Sequence, residues 1–383
     1  AYTVVPQVRF TKVNNQFVDS FIDIRSMNYR VPIEFQKRLQ GRDKMYIGLE
    51  FEYENAEVSL EVPRINQDDP FTDFEDATIV KTKRVYGEGL TSTWFAYDWR
   101  LGQVVVTPGA RVSYSSQTED TIVDPRSALR WELSEDVRAK AAVGQYSKPP
   151  QPGETDADFG NPELGWERSI HYILGWERDW GDLYTLDLQV YAKNNFDVVR
   201  GDADDRYENK GELRSKGLEV FLRRNRTERA FGWLSYTYSV TEQRATTEKD
   251  FGPAEFDQTH NVNLVGNYYF TGQWSLGGRI NYHTGDRYTP VNDAVWNAGL
   301  GKYQPVYEEG DEYSKRLPDY YQFDIFSVYD FLFDRWKLKL RTGIEYLAFE
   351  RPALGVDYNY DYSEEEFFRG LPPIPYIEIA GEF

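Results

Sequence analysis

The strongest constraint on what this chain can fold into is the way its connections are sorted. Apolar and polar residues alternate through segment after segment. Leu186, Leu188, Val190 and Ala192 interleave with Asp187, Gln189, Tyr191 and Lys193. Trp336, Leu338, Leu340, Thr342 and Ile344 interleave with Lys337, Lys339, Arg341, Gly343 and Glu345. A period of two puts the two sets on opposite faces of a strand, and no helical period competes with it. Counted back from Phe383, the links between these segments fall into two classes that alternate. One class is tight, as at 101–102, 134–136, 179–182, 224–229, 271–273 and 334–335. The other opens into polar stretches such as 63–78, 148–165, 285–318 and 350–372. A soluble sandwich has no reason to keep its short turns at one end and its long loops at the other, whereas a transmembrane barrel does.

The expected fold is therefore all-β, a transmembrane antiparallel up-and-down β-barrel with about sixteen strands in this chain, at roughly 9 to 11 membrane-spanning residues per strand. The strands read as 4–12, 21–36, 45–61, 81–99, 104–114, 126–133, 137–147 and 167–176, then 183–196, 214–223, 233–241, 260–270, 274–283, 320–333, 336–346 and 373–383. Residues 1–383 read as one barrel domain. Gly87 and Gly89 form a lone GxG inside a strand, which is weak as a phosphate loop and reads as a kink in the wall. The aromatic content fits, because 29 Tyr, 23 Phe and 10 Trp are more than a soluble domain needs and suit girdles at two membrane interfaces. No run approaches the roughly 18 apolar residues of a transmembrane helix. There are no Cys, which removes disulfides and thiolate metal sites and suits an oxidising envelope compartment. A net charge of −19 argues against a nucleic-acid partner. Ala1 is preceded by no basic or apolar leader, so a signal peptide is expected to be removed or to lie outside this sequence.

The final segment, PIPYIEIAGEF, alternates to the end of the chain. Ile377, Ile379, Gly381 and Phe383 lie on one face, and Glu378, Ala380 and Glu382 on the other. It resembles the closing strand of bacterial outer-membrane barrels. The resemblance implies that Phe383 is the signal for the barrel-assembly machinery, that the C-terminus is periplasmic, and that the wall meets outer-membrane lipid and lipopolysaccharide. Four further stretches, DPRSALRWELSEDVRAKAAVGQYSKPPQ from Asp124, NPELGWERS from Asn161, GELRSKGLE from Gly211 and FDQTHNVNLVGNYYF from Phe256, resemble the barrel of TonB-dependent outer-membrane receptors. Such receptors resemble a 22-stranded barrel with a plugged lumen. Neither a plug nor an energy-coupling box is read here, so the resemblance aligns this chain with the C-terminal part of the barrel. Either further strands and a plug lie on other sequence, or segment 4–12 closes the barrel against 373–383; the motif order favours the first.

The resemblance implies uptake of a scarce solute such as a metal–siderophore complex, with the TonB complex acting through a segment not in this chain. The other readings are a passive porin of about sixteen strands, a size that leaves an aqueous channel, and a structural or adhesive surface barrel. Enzymatic chemistry is not expected. His171, His260 and His283 are the only histidines, and none stands in a pattern that would activate a nucleophile. On the strand phases His171 and His283 point to the lumen, with His260 near an outer strand end. Rigid aromatic faces give contact area at low entropic cost, so the loop residues Trp296, Tyr303, Tyr307, Tyr313, Tyr358, Tyr360 and Tyr362 are the expected contacts for a small-molecule ligand, against a bland reading as upper girdle and loop packing. Asp357, Asn359 and Asp361 alternate like the start of a calcium loop, the only cofactor in prospect. Tyr362 and Phe368 stand where the Gly and Glu of that loop belong. Otherwise the acids of the long loops read as a solvated, repulsive surface.

Overall fold

The computed structural model describes residues 2–4, 11–13, 16–18, 21–39, 43–63, 79–157, 160–201, 207–298, 302–308, 310–348 and 350–382. They form a 17-stranded antiparallel sheet in which Tyr2–Val4 and Gly252–Pro253 are short, leaving fifteen long strands. In chain order these are β1 (Phe21–Arg38), β2 (Lys44–Pro63), β3 (Ile79–Leu101), β4 (Val104–Ser115), β5 (Asp120–Glu132), β6 (Val137–Lys148), β7 (Glu167–Trp180) and β8 (Tyr184–Gly201). They continue with β9 (Tyr207–Arg224), β10 (Ala230–Arg244), β11 (His260–Tyr269), β12 (Trp274–His283), β13 (Tyr320–Leu332), β14 (Lys337–Leu347) and β15 (Ile374–Glu382). Each pairs antiparallel with the next, and Tyr2–Val4 pairs with Arg25–Met27 of β1. The described residues contain no helix, and the expected strand at 4–12 falls largely outside them.

The wall is inside-out relative to a soluble sheet. Val31, Ile33, Leu49, Leu174, Ile377 and Ile379 are exposed, Ile377 to 73% of its surface, while Glu50, Ser92, Ser113, Asp124, Gln322 and Asp324 are buried. Alternation carries this: each strand turns its apolar set to the hydrocarbon and its polar set to the lumen. Buried Glu50, Arg138 and Asp324 are paired with opposite charges, as low-dielectric burial favours, and Asp124 accepts from Ser147 Oγ at 2.7 Å and Gln145 Nε2 at 3.2 Å. Glu50 accepts from Arg30 and Arg111 at 2.6 and 2.8 Å. Arg138 bridges Glu177 and Asp179, and Arg279 donates to Asp324 at 2.7 Å. Exposed aromatics gather beside the short turns, among them Trp131, Trp180, Phe270, Trp274, Phe333 and Trp336, as a lower interface girdle would.

Several elements run past their expected ends. β3 has 23 residues and β2 has 20, about twice what crosses a bilayer, so their outer halves stand beyond it. Asp124 lies within β5 rather than in its approach. The sorting of connections holds with two exceptions: 116–119 and 202–206, on the long-loop side, are short. Gly87 and Gly89 make no bulge. The β2–β3 register runs unbroken through Asn55↔Gly87 and Tyr53↔Gly89. A Cβ on Gly87 would stand 2.8 Å from the Tyr53 hydroxyl, so the glycine makes room for that ring.

Candidate functional site

Two of the long connections fold into hairpins of their own. Between β12 and β13, Arg287–Tyr288 pairs with Lys315–Arg316, and Asp293–Asn297 pairs with Lys302–Val306. Between β14 and β15, Ala353–Tyr358 pairs with Glu365–Arg369. The base of the first is held by one carboxylate. Asp257, 2% exposed, accepts from Arg287 Nε at 2.9 Å and from Arg316 Nη2 on Oδ2, while the Thr241 amide donates to Oδ1 at 2.9 Å. Arg316 also donates to the Gly285 carbonyl at 2.9 Å and to Thr259 Oγ1 at 2.8 Å. The two arms of the loop cross where Gly285 meets Leu317. A Cβ at 285 would lie 1.8 Å from the Leu317 carbonyl oxygen, so only glycine fits that crossing.

On this base the hairpins meet through aromatic rings. Trp296 and Tyr303 are register partners with ring centroids 5.2 Å apart, edge to face. Tyr303 meets Tyr360 of the other loop at 5.8 Å and 90°. The Val291 amide donates to the Tyr358 hydroxyl at 3.3 Å, and Tyr358 packs on Tyr362 at 5.8 Å. Trp296 and Tyr360 remain exposed, Tyr360 to 68%. Of the seven aromatic candidates, five thus fall in one place. Tyr307 is half-buried just after the Lys302–Val306 strand. Tyr313 lies at the base, its amide donating to Thr289 Oγ1 at 3.0 Å and its carbonyl accepting from Arg287 at 3.3 Å.

A residue missed by sequence reasoning, Tyr288, joins the same two loops. Burial pushes its hydroxyl up to about 12, and the Glu365 charge adds to the effect. Nothing local in YTP or SEEE announces that pair, because the partners are brought together by the hairpins. Two of the three calcium candidates, Asn359 and Asp361, turn an acceptor oxygen onto their own hairpin. Asp361 Oδ1 accepts from the Ser363 hydroxyl at 2.6 Å and its amide at 3.2 Å, which holds the Asp361 carboxyl below its ordinary value. Asn359 Oδ1 accepts from the Glu364 amide at 3.1 Å, and Asp357 stands across the hairpin from Glu366. Among the described residues no group of three or more His, Cys, Asp or Glu is arranged to hold a metal ion.

The histidines sit among rings rather than nucleophiles. His171 packs on Tyr146 at 4.5 Å and His283 stacks on Tyr320 at 4.6 Å. Both share the phase of the lumenal Glu177 and Arg279. His260 Nδ1 lies 3.0 Å from the Tyr236 hydroxyl. What this arrangement offers is a non-covalent surface: rigid exposed rings on a pinned base, with carboxylates around them. Phe383 lies outside the described residues.

The fold has many solved counterparts. The unliganded ferric citrate transporter FecA superposes with a TM-score of 0.65 at 14% identity, covering 99% of this chain and 56% of that one. The ferripyoverdine receptor of the Pseudomonas aeruginosa outer membrane gives 0.64 at 13%, covering 93% and 48%. The P. aeruginosa ferric enterobactin receptor PfeA, in a mutant form with enterobactin, gives 0.63 at 16%, covering 96% and 56%. The chain spans about half the length of these receptors. Among curated protein sequences none is matched. The family model for the TonB dependent receptor-like β-barrel matches residues 5–347. With that match over most of its length and the inside-out antiparallel wall described above, the chain belongs to the TonB-dependent receptor β-barrel family.

Proposed function

We propose that this chain is barrel wall of an outer-membrane receptor that captures a scarce small solute, of the class of ferric–siderophore complexes, at its long-loop end. The observation that carries the reading is the meeting of two separate loops through Trp296, Tyr303 and Tyr360 on a base pinned by Asp257. Tyr358 and Tyr362 extend that surface, and Tyr307 and Tyr313 shape its foot. Exposed aromatic faces held rigid before binding lose little entropy when a ligand arrives, which is where binding hot spots form. The solved structures of like fold include receptors whose names state ferric citrate, ferripyoverdine or ferric enterobactin. In this reading the TonB complex supplies energy through a segment outside this chain, the long loops face the exterior with lipopolysaccharide around them, and the C-terminus is periplasmic with Phe383 as assembly signal.

The test uses the full-length receptor with a panel of ferric complexes and reads binding by quenching of tryptophan emission. One complex should bind, and Trp296→Ala or Tyr360→Ala should weaken it by about 2 kcal/mol, roughly thirtyfold, with folding unchanged. A panel in which nothing binds, together with open single-channel conductance, would replace the receptor reading by a passive pore.

A further inference from the structure

At the short-turn end, the outward rim of β7 to β10 carries charge opposite in sign to the molecule as a whole, whose net charge is −19. Arg178 lies two residues before the end of β7, Arg224 ends β9, and Arg226 and Arg229 stand in the turn that follows β9. Among the described residues none of these four forms an ion pair, whereas Arg30, Arg111, Arg138 and Arg279 on the lumen face all do. Within β7 to β10 the acids do not cancel them: Asp179 is taken by Arg138 and Thr185, which leaves exposed Asp182 and Glu228 there, with exposed Glu135 and Asp136 in the turn before β7.

Two of the four face hydrocarbon rather than lumen. Arg178 shares the outward phase of Tyr172 and Leu174, both exposed, and its guanidinium lies over the Trp180 ring at 5.1 Å. Arg224 stands within a cross-strand row, Trp180↔Tyr184↔Arg224↔Gly232↔Gly266↔Gly278. Its Nε is enclosed and has no hydrogen-bond partner. The row therefore passes from girdle aromatics, through a guanidinium, to three glycines that leave the outer surface bare. Beyond Arg224 the surface sinks into an apolar depression of about 740 Å³, lined by Leu264, Gly266, Leu276, Gly278, Ile280 and Ile325. Strands are spaced about 4.8 Å apart, so Gly266 is about 10 Å from Arg224 along the row.

A donor fork at the level of an aromatic girdle, with an apolar trough beside it, matches an amphiphile whose anionic head lies at the interface and whose chain lies in the trough. Guanidinium binds phosphate bidentately, and an unpaired one at an interface gains most from a net negative headgroup. We propose that this rim binds an anionic phospholipid, its phosphate held by Arg178 and Arg224 and one acyl chain lying over Gly266 and Gly278. The inference rests on the membrane seating in the function proposed above.

The protein is reconstituted into phosphatidylcholine vesicles carrying a minor fraction of phosphatidylglycerol and released in mild detergent, and the lipid retained is counted by native mass spectrometry. Phosphatidylglycerol should be retained in preference. Arg178→Gln and Arg224→Gln should each lower that preference about fivefold, the equivalent of about 1 kcal/mol per guanidinium. The lysine variants should restore part of it, because charge returns without the fork. Gly266→Leu, with open space where its side chain would stand, should reduce retention of both lipids. Arg351→Gln at the opposite end should change nothing. Equal retention of the two lipids, or a preference indifferent to both glutamine variants, would overturn the site while leaving the membrane seating intact. Displacement of the lipid by millimolar inorganic phosphate would reassign the fork to free phosphate. Failure to enter vesicles at all would remove the membrane seating and this inference with it.

Discussion

Asp257→Ala should free the loop between β12 and β13 without unfolding the wall. The carboxylate receives three donors, Arg287 Nε, Arg316 Nη2 and the Thr241 amide. Hydrogen bonds to a charged group contribute about 1.5–3 kcal/mol each, so the gross loss is several kcal/mol. Solvent recovers part of it, because the Arg287 and Arg316 side chains are already 20% and 22% exposed. The net cost should then lie near the lower end of the 3–5 kcal/mol typical of breaking a buried pair, about 3 kcal/mol. At 1.4 kcal/mol per decade that makes local opening roughly 100-fold more frequent. Hydrogen exchange reads it directly: amides paired between Arg287–Tyr288 and Lys315–Arg316 should lose about two decades of protection, while β11 and β12 keep theirs. Asp257→Asn, which keeps the shape and loses the charge, should fall between. Unchanged loop protection, or equal loss in β11 and β12, would show that this carboxylate is not the anchor of the loop.

The two faces of β14 should tolerate charge unequally. Leu340, in a row with the outward Tyr329 and Ile379, should cost about 2–4 kcal/mol as Leu340→Arg in folding titrations into vesicles, and Lys339→Glu on the lumen face much less; the reverse order would invert the assigned phase. Protease added to intact cells should cut within 285–318 or 350–372 and spare the 225–229 turn until the outer membrane is breached, and cleavage at Arg226 in intact cells would reverse the topology. Tyr288 has its folded pKa raised above the unfolded value of 10, to about 12, so its contribution is full below pH 10 and is lost as pH rises toward 12. The wild-type minus Tyr288→Phe ultraviolet difference titration should therefore show a late-ionising phenol, and Glu365→Gln should shift it earlier; a midpoint at 10 would separate the two loops at this contact.

Much of the wall was legible because its determinants are local. Every strand must present one set of side chains to hydrocarbon and the other to a polar lumen, and that demand is written as alternation, residue by residue, in Leu186–Lys193 as in Trp336–Glu345. Turn residues mark where it stops. Boundaries were less legible: β9 begins at Tyr207, seven residues before the 214–223 expected, because outside the bilayer the ladder continues on backbone hydrogen bonds alone and the apolar period relaxes. Gly87 looked like a kink, but only the packed partner strand shows that it houses the Tyr53 ring.

The candidate site was legible as a set of residue types and not as a place. Loop aromatics stood out in the sequence, yet nothing in it said that Tyr303 of one loop meets Tyr360 of another, that Tyr288 faces Glu365, or that Tyr313 lies at the base instead. Nor did it say that the oxygens of Asn359 and Asp361 are turned onto their own hairpin. The Tyr303–Tyr360 and Tyr288–Glu365 pairings join segments 57 and 77 residues apart, carry no period, and form because the wall fixes the strand ends from which the loops spring. Alternation along the chain therefore determined the barrel wall, while the loop partners were decided only in three dimensions, by hydrogen bonds and ring contacts between hairpins that the wall brings side by side.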